Sequence, residues 1–136
     1  MAASMTFPDA IRRCLTLYAT FGGRARRSEF WFFWLFNLLA HGVAGILDAA
    51  FFGIASPLNA IVSLLLLVPN LAVGVRRLHD VGRSGWWLLI ALVPLLGILV
   101  LLFWSVSRGE DGPNRFGADP RAVPLAGPAR PWPVGR

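Results

Sequence analysis

Apolar positions in this chain fall into three long runs divided by short polar segments, with a shorter amphipathic stretch ahead of them. Over residues 5–20, Phe7, Ile11, Cys14, Leu15 and Tyr18 recur at helical spacing, while Arg12, Arg13 and Thr16 take the other side. A span needs about 20 apolar residues, so this stretch predicts an amphipathic helix lying in a membrane interface. A secretory signal would not normally place Arg24, Arg26 and Arg27 directly after its apolar region. Gly22 and Gly23 then break the pattern, and Ser28 and Glu29 offer an N-cap and a first-turn carboxylate for the next helix.

The first long run predicts a span at about residues 29–52, opening on the aromatic cluster Phe30, Trp31, Phe32, Phe33 and Trp34 expected at a membrane surface. The uncharged link Gly53-Ile54-Ala55-Ser56-Pro57 supplies Ser56 as N-cap and Pro57 at the first helical position of a second, antiparallel span, about 57–75. The third run, about 86–106, carries Trp86, Trp87 and Trp104 near its ends. Pro69 and Pro94 each remove a backbone donor and predict kinks. Two courses are open to the third run: a third crossing, or a re-entrant hairpin turning between Pro94 and Gly97. A turn-rich polar tail follows over about 107–120, and the proline-rich remainder, about 121–136, predicts disorder. The expected fold class is therefore an all-α membrane protein, with three transmembrane helices preceded by an interfacial amphipathic helix and followed by a disordered C-terminal tail.

Composition changes this picture only by excluding alternatives. With 136 residues, 56% hydrophobic and 15% charged, and a mean hydropathy of +0.61, the chain has more apolar surface than one soluble domain can hide. The thirteen cationic side chains are all arginine. They flank apolar runs instead of lining a soluble face, so the +6 net charge points to anionic lipid headgroups and not to nucleic acid. Arginines crowd the N-terminal flank and the 76–85 loop and are missing from the first link. The positive-inside rule then places the N-terminus and that loop in the cytoplasm. Three crossings would put the tail outside; a hairpin would return it. Cys14 is the single cysteine and no histidines cluster, which gives neither a disulfide, a metal site nor a cofactor site.

Three segments, Phe21-Gly-Gly-Arg-Ala-Arg-Arg-Ser-Glu-Phe-Trp, Arg76-Arg-Leu-His-Asp-Val-Gly-Arg-Ser-Gly-Trp-Trp and Gly112-Pro-Asn-Arg-Phe-Gly-Ala-Asp-Pro, occur in this order. Together they resemble the signature segments of the YhaH-like bacterial inner-membrane family, domain of unknown function 805. The resemblance covers roughly Thr16 to Pro120 and implies a small helical inner-membrane protein. It supplies no catalytic residues. Gly22-Gly23 and the proline-rich extension depart from the family pattern.

Two constellations carry possible chemistry. In the first two runs Asn37, His41 and Asp48 share a spacing with Asn59, Ser63 and Asn70, and antiparallel packing would face the two stripes. Ionisable groups at membrane depth turn inward or toward water, so the stripe is either a proton or ion relay in a small oligomeric transporter or channel, or interhelical hydrogen bonding. At the cytoplasmic surface Arg24, Arg26, Arg27, Arg76, Arg77 and Arg83, with Trp31, Trp86 and Trp87, form a candidate site for anionic lipid headgroups or a membrane partner. Glu29 and Asp80 would serve there as structural ion-pair partners, Glu29 for Arg76 and Asp80 for Arg24. Gly45, Ala49 and Gly53 permit close helix contact, within the chain or in a homo-oligomer. No nucleophile-base-acid set, phosphate-cradling loop or metal-ligand spacing is present, so the expected function is non-enzymatic.

Overall fold

The computed structural model of the chain describes residues 4–122. Thr6 starts the first helix, α1 (Phe7–Thr16), through a reciprocal capping box with Asp9, and Pro8 sits in the first turn where no amide partner is needed. Part of its apolar face turns inward, with Ala10 and Cys14 buried and Phe7 edge-on against Phe32 of the next helix, while Leu15 and Tyr18 stay exposed.

The next two elements are α2 (Arg27–Phe51) and α3 (Pro57–Asp80). Each is long and apolar enough to cross a membrane. At 1.5 Å per residue they measure about 38 and 36 Å, against about 30 Å of hydrocarbon. They run antiparallel, and Phe33, Leu66 and Val73 form their shared core with Cys14 and Ala25. Only α3 starts where its sequence suggests, with Ser56 at the N-cap position and Pro57 first in the helix. Ser28 lies inside α2, whose N-cap position is Arg26 with no side-chain cap. Ser56 holds the N-cap position of α3 but makes no capping bond. Asp48, reaching across from α2, accepts hydrogen bonds from the Leu58 and Asn59 amides at 3.0 Å and does that work instead. A carboxylate at a helix N-terminus also complements its partial positive charge.

Pro69 sits inside α3 and cannot donate to the carbonyl of Leu65. The Tyr18 hydroxyl, arriving from the end of α1, donates to that carbonyl.

The third apolar run does not form a third spanning helix. Gly85–Leu92 is a 3-10 helix with Ser84 as its cap, and α4 (Leu96–Val106) has only 11 residues. Between them the chain reverses at Leu95, which has φ 67° and ψ −64°. Leu96 N–H donates to the Pro94 carbonyl at 2.7 Å, a three-residue γ-turn with positive φ. Pro94 ends the first arm because it has no amide to continue it. Gly97 lets the second arm close on the first: a Cβ there would overlap the Ile90 carbonyl. Trp87 and Trp104 consequently meet edge to face at 5.5 Å, near the open end of a helical hairpin. Against the expectation of three spanning helices, the described residues contain two helices long and apolar enough to cross and, in the third run, this hairpin of shorter arms.

Residues 107–122 then return over the same end of the bundle. The first residues of the expected disordered region, Arg121 and Ala122, are hydrogen-bonded there. The remainder of that region, 123–136, lies outside the described residues.

Candidate functional site: a buried arginine cluster

The charged end of the bundle is built on two carboxylates. Glu29, in the first turn of α2, is fully buried; it pairs with Arg76 Nη1 at 2.5 Å and with Arg13 Nε at 3.2 Å. Asp80, in the last turn of α3, receives Arg24 at 3.0 Å and Arg77 of its own helix. The Arg76 carbonyl accepts the Ala25 amide at 2.9 Å, which fixes the loop before α2 against the end of α3. Arg24, Arg26, Arg76 and Arg77 are all buried with the two acids. Charges removed from water in this way must be paired and hydrogen-bonded.

Backbone oxygens of the C-terminal segment supply most of what the carboxylates cannot. Arg24 donates to the carbonyls of Glu110 and Gly112, and Arg26 to that of Pro120. Arg77 reaches the carbonyls of Ala25, Trp104, Ser105 and Ser107. The end of α4 leaves four carbonyls without intrahelical partners. Ser107 caps Phe103, Arg77 and Trp31 share Ser105, Arg77 takes Trp104, and Arg27 takes Val106. Cations at that end also complement the helix dipole. Arg76 Nε and Nη2, the side-on fork of its guanidinium, are the buried side-chain donors without a partner among the described residues.

The tail is held closed by its own contacts. Asn114 bridges the His79 carbonyl and Glu110, and Phe116 stacks flat on the His79 ring at 4.0 Å. The His79 Nδ1 hydrogen bonds to the Gly23 carbonyl at 2.9 Å. Asp119 is partly buried, which opposes ionisation, yet hydrogen bonds from Arg121 and the Gly112 amide hold its carboxyl down at about 2. Gly109 and Gly82 are sites of close approach, where a Cβ would overlap Asp80 and Glu110 respectively. Burial, with Glu29 alongside, pushes the Cys14 thiol up to about 12.

The predicted surface patch thus separates into two groups. Arg24, Arg26, Arg76 and Arg77 are interior, whereas Arg27 and Arg83 are exposed. Arg83 lies over the Trp104 ring at 5.1 Å, beside Trp87, while Trp86 remains 80% exposed. Trp31 is half-buried and bonded to the Ser105 carbonyl.

The polar stripe is assembled in part. His41 Nδ1 meets Asn59 Oδ1 at 2.9 Å, and Asn59 also contacts Asp48; Asn70 donates to Asn37 at 2.7 Å. Ser63 is exposed and takes no part in this chain of contacts. Gly45 faces Asn59 within the α2 and α3 contact, and Ala49 and Gly53 are exposed, so the small-residue series is divided. Among the described residues no group of three or more His, Cys, Asp or Glu is placed to hold a metal.

Arg13, Tyr18, Asp119 and Arg121 were hidden from the pattern for different reasons. Arg13 lies on the polar side of an amphipathic helix, where solvent is the default partner. Tyr18 had a signal in Pro69, four residues after the carbonyl it serves. Asp119 and Arg121 sit in a turn-rich segment whose fold depends on partners distant in sequence.

The sequence model of the family described as protein of unknown function (DUF805) matches residues 18–118. The inner membrane protein YhaH of Escherichia coli K12 is 40% identical over 120 residues, covering 85% of this chain and 99% of that protein. The inner membrane protein YhaI of the same strain is 41% identical over 105 residues, covering 76% and 88%. The uncharacterized protein YiiR is 30% identical over 138 residues. No solved structure matches. The matched span takes in the two segments whose arginines meet Glu29 and Asp80 and most of the tail segment that covers them, and the chain belongs to the DUF805 family of bacterial inner-membrane proteins.

Proposed function

We propose that this is a non-enzymatic inner-membrane protein whose cytoplasmic face engages anionic lipid headgroups through two of its exposed arginines, Arg27 and Arg83, the second lying beside Trp87 and Trp104. The observation that carries this reading is the position of Arg83: exposed, lying on Trp104 at the base of an uncharged hairpin, next to an outward-facing tryptophan. Guanidinium binds phosphate in a planar fork, and tryptophan favours the headgroup level. The four buried arginines take a different part, tying the loop before α2, the end of α3 and the tail into one block that presents the exposed pair.

Native mass spectrometry of protein extracted in mild detergent tests this. Wild type should retain anionic phospholipid, and an Arg27→Gln, Arg83→Gln double variant should lose it while keeping its fold. Equal retention by both proteins overturns the reading.

A second reading, a small oligomeric transporter using the polar stripe, draws on the His41, Asn59 and Asp48 chain. We favour the first because both Asp48 oxygens are engaged by α3 amides, a structural use for the carboxylate. Proton-linked flux in liposomes that is lost in His41→Ala and Asp48→Asn would reverse this preference.

A further inference from the structure

We propose that the protein is a wedge in the membrane, wider in the leaflet next to the arginine cluster, and that it consequently gathers on membrane bulging toward that side. Helical mass is unevenly distributed along the bundle axis. At the arginine end, α2 and α3 are joined by α1, the second arm of the hairpin and the tail, held there by Glu29, Asp80 and the carbonyls of residues 105–112, and by the first arm through Leu88 on Gly74. At the opposite end only two segments are present among the described residues: α2 beyond about Val43 and the first part of α3.

The hairpin's depth follows from its length and its contacts. Its arms, 8 residues of 3-10 helix and 11 of α-helix, are each about 16 Å long at about 2.0 and 1.5 Å per residue. That is about half of a 30 Å hydrocarbon core. Leu88 packs on Gly74 and lines a half-open groove with Phe30, Trp34, Asn70 and Leu71, which sets the first arm beside the arginine-end halves of α2 and α3.

The turn itself is suited to hydrocarbon. Residues 85–106 contain no charge. Leu92, Leu95 and Leu96 point outward at the tip. The amides of Val93, Leu96 and Gly97 donate to Ile90, Pro94 and Val93, while Pro94 has no amide to satisfy. With these three amides bonded internally, the turn escapes part of the cost that excludes irregular backbone from lipid.

Each helix occupies a disc about 10 Å across. Two hairpin arms therefore add about 160 Å² to one leaflet and nothing to the other, and α1 adds to the same side. Lipids accommodate such an inclusion with least distortion where that leaflet is expanded, on its convex face. The mechanism is shape, so it needs no particular headgroup and stands apart from the lipid-binding reading above.

The test uses the full-length protein in giant vesicles from which narrow membrane tubes are drawn. An introduced Ser4→Cys carries a fluorophore, and quenching from outside identifies copies whose arginine end faces outward. For these copies the ratio of protein density on the tube to that on the flat membrane should exceed unity and climb as the tube narrows. Copies in the opposite orientation should be depleted. The same behaviour is expected in purely zwitterionic vesicles, where loss of headgroup binding cannot affect it. A ratio of unity at every radius overturns the proposal, as does sorting that needs anionic lipid or is the same for both orientations.

Discussion

Replacing Asp80 by Asn probes the cluster where the most depends on one group. Asp80 is buried, receives two guanidiniums of which Arg24 is 3.0 Å away, and offers its carbonyl to the Glu110 amide at 2.7 Å. Asparagine keeps the shape but removes the charge, and its amide group presents N–H donors to arginines that are themselves only donors. Removing one partner of a buried ion pair costs about 3–5 kcal/mol, because the other charge stays buried without compensation. Two arginines share this carboxylate, so a loss at the upper part of that range is expected, together with release of the tail. Denaturant titration in detergent gives the stability change, and limited proteolysis between residues 107 and 121 reports the release. Asp111→Asn is the matched control. Its pairs with Arg108 and Arg121 lie at an exposed carboxylate, where such contacts contribute about 0–1 kcal/mol. If Asp80→Asn costs no more than Asp111→Asn and leaves the tail protected, Asp80 does not hold the cluster.

Other outcomes follow from single residues. Asp48→Ala removes the cap on the Leu58 and Asn59 amides and should destabilise the protein by about 1–2 kcal/mol, with Asp48→Asn milder because one accepting oxygen remains; equal stability of all three proteins in denaturant titration would contradict the cap. Cys14, with its thiol pushed up to about 12 and no exposed surface, should resist maleimide in the folded protein at pH 7 and react on denaturation; rapid labelling of the native protein would contradict its burial. Asp119 titrates below its ordinary value when folded, so its contribution to tail closure is full above about pH 4 and fades as pH falls through about 2. Proteolysis by an acid-stable protease should find the tail unchanged from pH 7 to 4 and more open toward pH 2; opening between pH 6 and 5 would point to another group.

Much of this architecture can be read from residue order, and what cannot has a physical cause. The two crossing helices are legible because a run of apolar residues in lipid has to close its own backbone hydrogen bonds. Counting charges leads to Glu29 and Asp80, since two acids among so many arginines have few other roles, and they lie beside Arg76 and Arg24. The course of the third run is not legible from length, because residues 86–106 are numerous enough to cross. Local geometry decides it: Pro94 ends one arm, Leu95 reverses the chain, and Gly97 permits the arms to touch. Arginine surplus suggests an external anion only while the partners are taken to be side chains. Backbone carbonyls from residues 104–120 fill that place for Arg24, Arg26 and Arg77, and a segment rich in turns gives no advance sign of which carbonyls will face inward.

The hairpin returns the C-terminal segment to the side of the N-terminus, where the three signature segments meet. Sidedness of labelling tests it most directly, using single cysteines at Ser4, Ile54 and Arg108 in a Cys14→Ala background and a membrane-impermeant reagent applied to oriented membrane vesicles. All three positions are exposed. Ser4→Cys and Arg108→Cys should react from one side and Ile54→Cys from the other. Labelling of Arg108→Cys from the same side as Ile54→Cys would mean that the third run crosses, and would contradict the cluster.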